Sequence, residues 1–168
     1  MQYTTEQLKD IIIGNFREEG WLAKVSAVMR RFSESSVFNS IDTGQEDYRS
    51  YFDTFCHKKD QDPDSPSIRV FNNGISVLLS KYVPAAVYGA SHYTSTSHTI
   101  MQSSSAYTLP AGSWEKEVRE IHDILAEFNV PLLPKEYLIQ EMPFDPPESL
   151  SLNMDNYDMF DVFFNWFD

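Results

Sequence analysis

The chain has 168 residues and a formal charge of −12, and a single domain of that length can bury roughly two-thirds of its unfolded surface. An apolar fraction of 42%, with Phe 12 and Tyr 9, excludes a disordered chain, and the acidity argues against nucleic acid or anionic membrane as the main partner, since both would repel it. No stretch approaches the ~20 continuous apolar residues of a membrane span, the opening Met1–Glu6 lacks the features of a signal peptide, and the lone Cys56 excludes an internal disulfide. The expectation is one domain, 1–168, in a reducing cytoplasm.

Thr4-x-x-Gln7 has the form of a capping box, ahead of Leu8, Ile11, Ile12 and Phe16 at helical spacing. Gly20 reads as the stop. A second helix follows from about Trp21 to Phe32, with Leu22, Val25, Val28, Met29 and Phe32 on one face, so the two predict a helical hairpin. Ser33–Ser36 breaks the pattern. Tyr48, Tyr51, Phe52 and Phe55 predict a short third helix, which runs into a polar, proline-broken loop from Cys56 to Pro66.

Beyond it the period changes to two. Residues 68–72 and 75–79 flank Asn73-Gly74, which predicts a hairpin with a two-residue loop, because a type I′ turn needs positive φ at both positions. Ala85–Tyr88 reads as a further strand. The hydroxyl-rich Ser91–Ser105 reads as a long loop or a solvated edge hairpin. Trp114–Phe128 predicts an amphipathic helix with Val118, Ile121, Leu125 and Phe128 inward, an acidic first turn, and Pro131 as terminator. Four prolines between 134 and 147 punctuate an irregular stretch. The closing Asp158–Asp168 run fits a strand (Val162, Phe164, Trp166) or a helix (Tyr157, Phe160, Phe164, Phe167) equally well. The fold class is α+β: an N-terminal helical hairpin and a further amphipathic helix packed on an antiparallel sheet.

No catalytic, metal-ligating or cofactor-binding constellation assembles. Adjacent residues on a helix point about 100° apart, so Cys56 and His57 are not expected to form a direct thiol–imidazole dyad even if the third helix extends over them. His92, His98 and His122 lack local support as partners for the thiol. His92 and His98 flank a serine/threonine loop without the further ligands a metal needs. The serines lack a nucleophile elbow, and the glycines at 14, 20, 44, 74, 89 and 112 never cluster into a phosphate loop.

Charge is the informative feature. Residues 1–31 carry a balance of +1, whereas after Lys135 there is no Lys or Arg, and Glu136, Glu141, Asp145, Glu148, Asp155, Asp158, Asp161 and Asp168 give −8. A solubilising tail would have few aromatics, yet these carboxylates are interleaved with Tyr157, Phe160, Phe163, Phe164, Trp166 and Phe167. The segment is therefore either docked into the core or presented to a partner. The residues assigned to a protein partner are Asp155, Tyr157, Asp158, Asp161 and Trp166.

Over residues 68–168 the stretches IRVFNNGISVLL, KYVPAAVYG, WEKEVREIHDILAEFNVPLLPKEYL and YDMFDVFFNWFD give the chain a style that resembles the small acidic immunity proteins of bacterial polymorphic-toxin and contact-dependent inhibition systems. The resemblance implies a stoichiometric, non-enzymatic inhibitor that neutralises a cognate toxin, often a basic nuclease, through an acidic face that steers association. Separately, LKDIIIGNFREEGWLAKVSAVMRR is similar to LisH-type helical hairpins, which implies a homodimeric adaptor built on residues 4–32, although Ser33–Ser36 interrupts the helix that such modules continue. A third alternative is an enzyme with its pocket rim at the His92–His98 loop.

Overall fold

A computed structural model describes residues 3–43, 49–65, 67, 69–95, 101–148 and 157–165. Its longest strand is also its most enclosed. β3 (Phe71–Ser80) is buried continuously from Gly74 to Ser80. It pairs antiparallel with β2 (Tyr51–Lys58) and β4 (Ala86–Tyr93), and β1 (Phe38–Asp42) adds to β2, giving the order β1-β2-β3-β4. A strand enclosed on both faces reads as an apolar run rather than an alternation, as Ile75–Leu79 does, and it needs an apolar layer on each side.

Five helices supply those layers: α1 (Thr5–Ile12), α2 (Trp21–Ser33), α3 (Glu115–Glu127), α4 (Lys135–Leu138) and α5 (Met159–Phe163). On one face Trp21, Val25, Val28 and Phe32 of α2 and Ile121, Ile124 and Leu125 of α3 pack on Cys56, Ile75, Val77, Leu79 and Ala86. On the other, Leu8, Ile11 and Ile12 of α1, Leu138 of α4 and Phe160 and Phe163 of α5 pack on Tyr51, Leu78 and Val87. Successive β3 residues thus feed opposite clusters, as the two-residue period of a strand requires.

The architecture is α+β with an antiparallel sheet, but the two N-terminal helices do not form the expected hairpin. The Thr4–Gln7 capping box is present. The helix then ends at Ile12 and turns at Gly14 (φ +75°), while Gly20 (φ +74°) precedes α2 instead of terminating α1. Residues 13–20 cross the end of the β3–β4 hairpin. The Glu18 N–H donates to the Tyr82 carbonyl at 2.8 Å, the Arg17 guanidinium lies 5.7 Å from the Tyr82 ring centre, and the Trp21 indole N–H donates to the Ser80 carbonyl at 2.8 Å. This strap carries the chain from one face of the sheet to the other.

Two further expectations are corrected. The helix read from Tyr48, Tyr51, Phe52 and Phe55 is strand β2 from Tyr51 onward, with Tyr48 outside the described residues. Tyr51, Phe52 and Phe55 at helical spacing also satisfy a strand that has one face on each cluster, and β-prone Tyr, Phe and Thr decide for the strand. Asn73-Gly74 is not a turn either. Both residues lie inside β3, beside a register shift against β4 between Phe71 and Gly74, and Ile68 lies outside the described residues. The glycine answers a different need: a Cβ at Gly74 would stand 2.1 Å from the Phe55 ring and 2.8 Å from the Cys56 carbonyl oxygen. Glycine inside a strand marks such a close approach.

Other expectations hold or sharpen. The strand at Ala85–Tyr88 appears as β4, the Trp114–Phe128 helix as α3, and the C-terminal run is helical over Met159–Phe163, with residues 166–168 outside the description. Among the described residues no helix is long and apolar enough to cross a membrane.

Gly74→Ala therefore forces the Phe55 ring or β2 to shift, and overpacking of this kind costs roughly 1–3 kcal/mol. Thermal unfolding should show a clear fall in Tm. An unchanged Tm would mean that Phe55 is not seated against Gly74.

Candidate functional site

The possible catalytic residues do not converge. Cys56 and His57 are neighbours on β2, so they point to opposite faces of the sheet. Cys56 is wholly buried with α2 and α3, and burial, with Asp53 adding to it, pushes its thiol well above the ordinary range. A thiol held protonated is a poor nucleophile. His57 stacks on Phe71 with ring centres 4.0 Å apart, its Nδ1–H donates to the Lys58 carbonyl at 3.0 Å, and burial lowers its pKa. It is a neutral ring in an aromatic stack that includes Phe55 and Tyr93. His92 lies on β4, exposed, and His98 is outside the described residues. His122 on α3 approaches the Tyr88 hydroxyl at 3.2 Å. Among the described residues no group of three His, Cys, Asp or Glu is placed to hold a metal.

Sequence reasoning missed Asp53. It is 2% exposed on β2, between Tyr51 and Phe55 on the same face, and accepts hydrogen bonds from the Thr43 and Ser76 side chains. Its Oδ1 has no hydrogen-bond partner. Burial raises its pKa to about 6, against an opposing pull from those hydroxyls and from Arg49. The strand rise of about 3.3 Å per residue puts it roughly 13 Å from His57, too far for a proton relay. Reading YFDTFC with a period of two would have exposed an acid among aromatics.

Of the five residues assigned to a partner, Asp155 and Trp166 lie outside the described residues. The other three sit at the start of α5. Asp158 is its N-cap, accepting from the Phe160 N–H at 3.0 Å, while the Asp158 N–H donates to the Asp161 carboxylate at 2.9 Å. The Ser103 hydroxyl also donates to Asp158. Both carboxylates are half-buried, and burial raises Asp161 to about 6. Tyr157 is half-buried, with its carbonyl accepting from Met142. These aspartates cap a helix. Among the described residues, the exposed carboxylates of this region are Glu136, Glu141, Asp145 and Glu148.

Beside them lies a cavity of about 240 Å³ lined by Tyr3, Thr5, Leu8, Tyr137, Gln140, Glu141, Pro143 and Met159. It forms because residues 140–142 hold the chain around 157–159 through the Met159 N–H to Gln140 carbonyl bond (2.9 Å) and the Met142 N–H to Tyr157 carbonyl bond (3.2 Å). The Tyr3 and Tyr137 rings both rest on Phe163, with centres at 6.0 and 6.3 Å. Burial, then Glu18 and Tyr137, drives the Tyr3 phenol well above its usual value. Its hydroxyl is buried without a hydrogen-bond partner.

No family model, curated protein or solved structure matches this chain.

The buried Asp53 has a pH signature. Its folded pKa is raised above its unfolded value, so its stabilising contribution is complete below about pH 4 and is lost as pH rises through about 6. Asp53→Asn removes that dependence. Relative to the variant, the wild type should lose up to roughly 3 kcal/mol of unfolding free energy between pH 4 and pH 7. Denaturant unfolding at both pH values measures it, and a constant difference would rule out a protonated Asp53.

Proposed function

We propose that this protein is a stoichiometric protein-binding inhibitor of the immunity type, neutralising a basic bacterial toxin through an acidic face, and that it is not an enzyme. The reading rests on one observation: the stretch after Lys135 has no cation, and its carboxylates divide by role. Asp158 and Asp161 hold α5, leaving Glu136, Glu141, Asp145 and Glu148 exposed. Exposed charges of one sign speed encounter with an oppositely charged partner and set its salt dependence.

Part of the aromatic set interleaved with these carboxylates is spent in the core. Phe160, Phe163 and Phe164 are buried in the α1/α4/α5 cluster. The apolar material left at this face is Ile139, 53% exposed, together with Pro143 and the cavity rings. Burial of a side chain such as Ile139 gives an interface its lifetime, while rim carboxylates govern the rate of its formation. A homodimeric adaptor built on residues 4–32 draws less support, because the apolar faces of α1 and α2 are spent on opposite sides of this chain's own sheet.

The test uses the protein encoded immediately beside this gene as the partner. Glu136→Gln, Glu141→Gln, Asp145→Asn and Glu148→Gln combined should slow association roughly tenfold or more at low salt, and high salt should narrow the gap. Ile139→Ala should instead speed dissociation. An unchanged association rate, or no complex at all, overturns the reading.

A further inference from the structure

We propose that the cavity between the start of α1 and α4–α5 receives the guanidinium of an arginine side chain presented by the protein partner. This inference rests on the acidic-face reading above and names the group that the face recognises.

Size is the first argument. About 240 Å³ falls below the roughly 300–1,000 Å³ of sites for whole small molecules and suits one side-chain head group. Chemistry is the second. The wall combines two tyrosine rings, the apolar surfaces of Leu8, Pro143 and Met159, and a single acidic side chain, that of Glu141. Aromatic faces attract a cation, and a planar guanidinium can stack on a ring while donating to a carboxylate at its edge, which an ammonium does less well. Gln140 and Thr5 add neutral oxygen acceptors.

The surrounding charge has the same sign. Glu18 acts on the Tyr3 ring, and Glu136 lies one helical turn before Gln140, whose side-chain amide donates to the Glu136 carbonyl at 3.0 Å. Glu141 forms an isolated antiparallel bridge with Asp158. The nearby cations are occupied elsewhere: Lys9 pairs with Glu6 at 3.2 Å, and Lys135 donates to the Ser104 carbonyl at 3.0 Å. Among the described residues no basic side chain lines the cavity. The mouth is thus negative, the wall aromatic, and the counter-charge absent from the lining. An anionic or neutral polar ligand would leave the Glu141 carboxylate opposed or unpaired.

The test needs no toxin. N-acetyl-L-arginine amide is titrated into the intact protein while the ring proton resonances of Tyr3 and Tyr137 are followed by NMR. Its uncharged isostere, N-acetyl-L-citrulline amide, serves as control. Saturable shifts of both rings with the arginine probe alone are expected. Glu141→Gln, at an exposed position that should leave the fold intact, should weaken binding roughly threefold or more, as should Tyr137→Leu, which keeps the packing on Phe163 apolar. Equal binding of citrulline, no effect of Glu141→Gln, or shifts that map away from these two rings would each overturn the proposal. Arginine binding in a protein that forms no complex with the neighbouring gene product would leave this site standing and remove the inhibitor reading. Charge-dependent association without arginine binding would do the reverse.

Discussion

Everything in this fold follows from enclosing β3 on both faces. Its Val77 and Leu79 side chains need one apolar layer and Leu78 needs another, because a strand places successive side chains on opposite sides. Helices close in sequence must then be far apart in space. α1 and α2 are separated by eight residues, but they cover different faces, so the intervening segment becomes a strap over Tyr82 instead of a hairpin loop. The outer edge of β4 is closed too. The Tyr107 N–H donates to Tyr88, Ala90 donates to Thr108, and Ala86 exchanges bonds with Pro131 and Leu133. Covering an edge in this way removes a template for unwanted pairing.

The same enclosure explains the polar residues in the interior. A two-faced strand pair leaves little room for water, so every buried polar side chain on β2 and β3 must find a partner in the protein or carry a cost. Ser50 accepts from the Asn165 N–H at 2.6 Å and ties the C-terminal segment to β2. Asp53 takes hydroxyl donors from Thr43 and Ser76 and still has an oxygen without a partner, and its pKa is raised to about 6. Burial overrides the pull of neighbouring donors because desolvating a carboxylate costs more than two hydroxyl hydrogen bonds return.

Where local chemistry fixed the outcome, it was legible in the sequence. The Thr4–Gln7 box, the amphipathic Trp114–Phe128 helix and the Ala85–Tyr88 strand each carry signals within one element. The failures share a cause, since each depended on a contact distant in sequence. Tyr51, Phe52 and Phe55 sit at spacings that a one-faced helix and a two-faced strand both satisfy, and only β3 and the second helical layer decide between them. Asn73-Gly74 is a strong turn signal in isolation, yet Phe55, nineteen positions earlier, requires that glycine for a steric reason. β1 gave no signal because FNSID is mostly half-buried at a sheet edge. The cavity was equally hidden, since Tyr3, Tyr137 and Met159 meet only once the chain is folded.

The role of the C-terminal third turns on which of its groups the fold consumes. Its sequence mixes carboxylates with aromatics, and aromatics are the usual source of interface energy. Here the fold takes Phe160, Phe163 and Phe164, which are buried with Met159 and Val162 against α1 and α4. It takes two carboxylates as well, since Asp158 and Asp161 close the first turn of the five-residue α5. Among the described residues, what remains outward is charge from Glu136, Glu141, Asp145 and Glu148, one exposed isoleucine, and the rings around a small cavity. Such a face offers long-range attraction and little apolar area. On the acidic-face reading, a partner held tightly by it must bring its own buried anchor, and the cavity is where we propose that this anchor seats.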